Sequence, residues 1–188
     1  WLAAGGVLLL GAAYTKQTAL DAVAAALLYL LLHNWRRGLA LGLAVLGLGA
    51  ALYLWLDAAT EGGFSLNVFW ANANPFSREQ ALAYWRNFLA IHPLLVLAGA
   101  VALLGGLARR GLEGLSAYGL YFLASLGVAV GVGKWGAGES YFLGAIAAGC
   151  VLLGQVWGWL EATVDRLLAA APPYGRKRWR AVLAAGGL

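Results

Sequence analysis

The sequence predicts an all-α fold, a polytopic bundle of about six transmembrane helices with one further helix at the membrane surface. Three observations predict it. Of 188 residues, 62% are hydrophobic and 11% charged, so the apolar surface exceeds what a water-soluble core of this length can hide. Apolar stretches approaching the ~20 residues of a spanning helix recur between short polar breaks. Strands of alternating apolar and polar residues are absent, which argues against a β-barrel.

The apolar segments are 2–14, 17–33, 38–56, 92–108, 115–133 and 141–160, read together as a single transmembrane domain over 1–188. Gly127, Gly131 and Gly133 read as a close-packing surface, because small residues let helix backbones approach where no hydrophobic force draws them together. Cys150 stands alone in an apolar run and reads as a small core residue; one thiol excludes an internal disulfide. The chain contains no Met and opens on Trp1, with no signal peptide visible, so the expectation is a fragment of a longer protein.

Orientation follows from the cations, since cytoplasmic loops retain positive charge during insertion. Arg36, Arg37, Arg109, Arg110, Arg166, Arg176, Lys177, Arg178 and Arg180 fall on one side; Lys16, Arg78, Arg86 and Lys134 fall on the other. The N-terminus and the basic tail are therefore expected in the cytoplasm. The tail PPYGRKRWR at 172–180 reads as a topology anchor on anionic headgroups, with membrane lipids and no nucleic acid as its partner.

This topology gathers three connections on the outer face: 14–18, a long loop from 57 to about 91, and 133–141. In the long loop Gly62 and Gly63 permit a tight turn and Asn74-Pro75 a break, after which Ser77 and Gln80 spell a capping box. The helix that follows places Leu82, Trp85, Phe88 and Leu89 on one stripe, which suits a brace or lid lying in the interface. Lys16 and Gln17 are expected at or just inside the hydrocarbon boundary, with Asp21 about one turn deeper. Gln17 and Asp21, four residues apart, are expected to share a helix face and a hydrogen bond.

His33 and His92 lie on opposite sides and cannot share a metal. No H-E-x-x-H, no Ser-His-Asp arrangement and no P-loop is present, so no metal site is called. Lys16 and Lys134, each beside glycines, hydroxyls or amides on the outer face, suit the phosphate of a lipid-linked donor; snorkelling into the headgroups is the structural alternative for each.

The succession YTKQTALDA, GGFSLNVFWANANPF, HPLL and GKWGAGESYFLGAIAAG resembles, in order and spacing, the C-terminal part of the membrane region of bacterial GT-C glycosyltransferases, relatives of protein O-mannosyltransferases and aminoarabinose transferases. The resemblance covers 14–160. It implies an all-helical enzyme that moves a sugar from a polyprenyl-phosphate carrier to an acceptor on the outer side of the plasma membrane. By similarity Lys16, Lys134 and Tyr141 would hold the donor phosphate, and Gln17, Asn72 and Asn74 would bind sugar hydroxyls or shape the loop.

The pattern departs at Ser140, where the family carries Asn, and no match to the family's acidic catalytic motif occurs. Asp57, Glu61 and Glu139 are outer-face carboxylates with structural or solvated roles. The chain is accordingly expected to be a donor-binding part, inactive alone, with sugar, acceptor and cofactor unassigned. The alternative is a transporter or membrane-complex subunit using Lys16 and Asp21; no internal repeat supports it.

Overall fold

The computed structural model describes residues 1–170, which are helical throughout apart from their connections. The basic tail at 172–180 lies outside the described residues. Helix α1 (Leu2–Thr15) breaks at Lys16, and a single 3-10 turn (Gln17–Ala19) leads into α2 (Leu20–His33). Asn34 caps α3 (Trp35–Ala59), its side-chain oxygen accepting from the Arg37 N–H at 3.2 Å. A short α4 (Gly63–Ser65) widens into a π turn (Leu66–Trp70). Then follow α5 (Arg78–Ile91), α6 (Pro93–Arg110) with proline at its start, α7 (Ala117–Ala129) capped by Ser116, and α8 (Leu143–Ala170).

Three helical stretches are long and apolar enough to cross a membrane: Trp35–Ala59, Pro93–Gly114 and Glu139–Ala170. Three further stretches, Leu2–Thr15, Gln17–His33 and Ala117–Gly133, are apolar but shorter. The six apolar segments thus appear as helices, three of them of full spanning length.

Helix α2 packs along α7, α7 along α8 and α8 along α6, while α3 joins through α2 and α1. The core lies where α5, α7 and α8 meet, with Phe88, Phe122, Phe142, Ala145, Ala148 and Leu152 buried. In α8 the buried residues are Ala145, Ala148, Gly149 and Leu152, one helical stripe, and Cys150 falls beside it and is exposed. The expectation of a core cysteine is therefore corrected by helical phase.

Glycine packing also differs from expectation. Gly127 faces open space, and Gly131 and Gly133 are tight against Tyr141 and Phe76 in the connections rather than against another helix. The tightest backbone approach among the described glycines is between Gly106 and Gly114, where a Cβ on either would collide with the carbonyl of the other. That contact folds the 111–116 turn back onto α6.

Candidate functional site

Several segments far apart in the chain build an open cavity of about 850 Å³, whose walls include Lys16, Gln17, Asn72, Lys134 and Tyr141. Lys16 occupies it because the chain is neither α-helix nor 3-10 helix at that point: its backbone is extended, at φ −152° and ψ 125°. Its N–H still closes α1 on the Ala12 carbonyl at 3.0 Å, and its carbonyl accepts from Ala19 at 2.9 Å. Both backbone groups are satisfied, so the break costs little even near hydrocarbon.

Lys134 follows the 3-10 turn that ends α7 and is half-buried. Its loop is clamped by the segment 74–80. Phe76 pairs with Lys134 in an isolated antiparallel bridge, the Ser77 N–H donates to the Gly133 carbonyl at 2.8 Å, and the Trp135 N–H donates to Pro75 at 2.9 Å. Gln80 Nε2 reaches the carbonyls of Val132 and Lys134, each at 2.8 Å, and Asn74 Nδ2 donates to the Trp135 carbonyl at 3.0 Å. Gly133 has no alternative here, because a Cβ would stand 2.5 Å from the Phe76 ring and 2.8 Å from the Ser77 carbonyl.

Gln80 therefore completes only half of the expected capping box. Ser77 Oγ accepts from the Gln80 N–H at 3.1 Å, but the Gln80 carboxamide donates to the Lys134 loop, and the Ser77 N–H is bound instead to the Gly133 carbonyl. The buried face of α5 is likewise rotated from the expected stripe. Phe88 is buried, with Ala81, Tyr84 and Trp85 packed on the core, whereas Leu82 and Leu89 are exposed. Phe142 sets this phase by stacking on Phe88 at 4.5 Å and meeting Trp85 edge-on at 5.2 Å. No α5 residue lines the cavity, so α5 braces the Lys134 loop and is not a lid.

The remaining wall is the turn from Phe64 to Ala73. Gln17 Nε2 donates to the Val68 carbonyl at 2.7 Å, and Asn72 Nδ2 donates to the Asn67 carbonyl at 2.7 Å and to Val68 at 3.3 Å. Asp57 Oδ1 accepts from the Ser65 N–H at 2.9 Å, and the Tyr53 hydroxyl is bonded to Ser65. Aromatic contacts of Phe64 with Tyr14 at 6.1 Å and Tyr53 at 5.6 Å complete the wall. Asn74, by contrast, lies outside the cavity lining and ties two loops together.

Asp21 does not bond Gln17. The 3-10 turn shifts Gln17 out of helical register with α2, and the carboxylate turns into the bundle. There it is 6% exposed, with Ser125 Oγ donating to Oδ2 at 2.8 Å and the Ala22 N–H donating to Oδ1 at 2.7 Å. Gly144 of α8 leaves the space: a Cβ there would meet Asp21 and stand 2.5 Å from Ser125 Oγ. Asp21 is thus a packed, hydrogen-bonded junction of α2, α7 and α8.

Among the described residues lining the cavity are two lysines and no carboxylate. Asp57 and Glu139 are engaged elsewhere, Glu139 Oε1 accepting from Asn87 at 3.4 Å. The walls combine two lysines, amide and hydroxyl groups and aromatic side chains, which is the chemistry of an amphiphilic anion site. Tyr53 and Asn67, which line the walls, and Gln80, which braces one of them, were not among the expected site residues. Family models, curated proteins and solved structures were compared with the chain and none matches.

Proposed function

We propose that the chain is the donor-binding part of an integral-membrane glycosyltransferase of GT-C type. The donor is a sugar on a polyprenyl phosphate, and the cavity opens on the outer face of the plasma membrane, opposite the cytoplasmic N-terminus and basic tail. In this reading α1, α2 and α7 complete a six-helix membrane domain with α3, α6 and α8, and α5 lies at its outer surface. One observation carries the proposal: Lys16 and Lys134 line one cavity with Tyr141 and no described carboxylate.

The chemistry follows from where charge develops. As an acceptor oxygen attacks the anomeric carbon, the bond from that carbon to the phosphate oxygen breaks and its electron pair stays on the phosphate. Two ammonium groups facing that oxygen stabilise the developing charge, and a preorganised donor of this kind is worth roughly 100-fold in rate. Tyr141 offers a hydroxyl donor, and Gln17 and Asn72 hold the turn that closes the wall. Asp57, Glu61 and Glu139 do not line the cavity, so none is assigned as base.

Turnover of a polyprenyl-phosphate-linked sugar by the full-length protein tests this. Lys16→Ala and Lys134→Ala should each lower it about 100-fold, with Arg replacements milder. Unchanged turnover in both Ala variants sinks the assignment. The alternative, a transporter or complex subunit, would use Asp21 in an ion pathway or against a partner helix; its bonds to Ser125 and Ala22 favour a structural role instead.

A further inference from the structure

A second cavity, about 250 Å³, lies at the other end of the α2–α7–α8 bundle, among Tyr29, His33, Arg109, Arg110, Glu113 and Trp159. Its construction is independent of the lysine cavity. The Gly106–Gly114 contact folds the 111–116 turn over the end of α6. His33 ties α2 to that turn, with Nε2 3.0 Å from the Glu113 carbonyl and Nδ1 2.9 Å from the Tyr29 carbonyl. Both partners only accept, so each contact is a hydrogen bond where the ring nitrogen concerned carries a proton.

The Arg109 guanidinium lies 4.9 Å from the centre of the Trp159 ring, a contact that orients it without neutralising it. Arg110 and Glu113 also line the wall, so the residues around the cavity include two arginines and one acidic residue. Ser116 accepts from the Gly119 N–H at 3.0 Å, which leaves its own hydroxyl proton available as a donor, and Gln155 adds an amide to the lining. Guanidinium pairs with neutral donors around a void of this size match a tetrahedral oxyanion, because the planar forks of arginine fit phosphate oxygens in pairs.

We infer that this cavity binds a phosphate group, from the headgroup of an anionic phospholipid or from free phosphate, through Arg109 and Arg110. Basic pockets between helices at a membrane face offer this recognition to phosphatidylglycerol-type lipids, whose phosphate charge is not balanced by a cation in the same headgroup. The inference does not depend on the transferase reading.

Native mass spectrometry of the full chain in detergent, with phosphatidylglycerol or phosphatidylcholine of matched acyl chains, reads the lipid source; calorimetric titration with inorganic phosphate reads the free one. The expected result is selective retention of phosphatidylglycerol, lowered about tenfold by Arg109→Gln with Arg110→Gln. Arg36→Gln with Arg37→Gln, which removes equal charge outside the cavity lining, should leave retention unchanged. Gln155→Leu keeps the charge, serves if the arginine pair is needed for folding, and should weaken retention about threefold.

Binding of inorganic phosphate that depends on Arg109 and Arg110, without lipid retention, upholds the site and assigns it the free anion. Equal retention of both lipids without phosphate binding overturns it. So does equal loss in the two arginine pairs, or retention indifferent to Gln155→Leu when the arginine pair cannot be made.

Discussion

Replacing Gln80 by Leu removes the two hydrogen bonds that fasten the Lys134 loop to α5 while keeping the bulk of the side chain. The Lys134 carbonyl retains the Ala137 N–H at 2.9 Å, so losing Gln80 there forfeits only a net bond of ~1 kcal/mol. The Val132 carbonyl belongs to a residue with 0% exposure, and stripping it of Gln80 carries a desolvation penalty of ~1–3 kcal/mol. Loop opening should therefore become easier by at least ~2 kcal/mol, or about 30-fold in the opening equilibrium. Hydrogen exchange followed by mass spectrometry on the full-length protein in micelles measures this directly. The amides of Trp135 and Ala137, bonded to Pro75 and Lys134, should exchange about 30-fold faster, while those in the middle of α8 do not change. Unchanged exchange at Trp135 and Ala137, or acceleration spread equally into α8, would show that Gln80 does not hold this loop.

Two further predictions concern the Asp21 junction. Ser125→Ala removes the hydroxyl from Asp21 Oδ2 in a buried setting, and thermal unfolding in detergent should register a loss of ~1.5–3 kcal/mol; no loss would mean that water or another donor replaces Ser125. Gly144→Ala drives a methyl group into the Asp21 carboxylate and the Ser125 hydroxyl, so this variant should be destabilised by ~1–3 kcal/mol or more, and Gly127→Ala, which faces open space, should be close to neutral; equal stability of the two would refute the packing argument.

Much of the helical layout was legible because hydrophobic runs and caps act locally. The break at Lys16 follows from TKQT interrupting two apolar runs, and Ser77 announces α5 three residues before its cap bond at Gln80 closes. Sharing of a cavity by Lys16 and Lys134 was suggested by their common side in the topology and by the resemblance, whereas Gln80 read as half of a local capping box, since its partners in the Lys134 loop lie more than fifty residues away. Leu82 and Leu89 show the limit of periodicity: several apolar faces compete on α5, and Phe142, distant in sequence, selects the one bearing Phe88.

By itself the sequence determined that the chain is helical and apolar enough for a membrane, where the helices break, and which end of each carries the cations, because these depend on composition and on contacts within a turn or two. Only the tertiary structure decided that Asp21 turns inward to Ser125, that Cys150 turns outward, and that α5 clamps a loop and is not a lid over the lysine cavity. These choices rest on single partners contributed by remote segments, and in a medium where apolar faces gain little from hiding, close packing and hydrogen bonds between helices settle them.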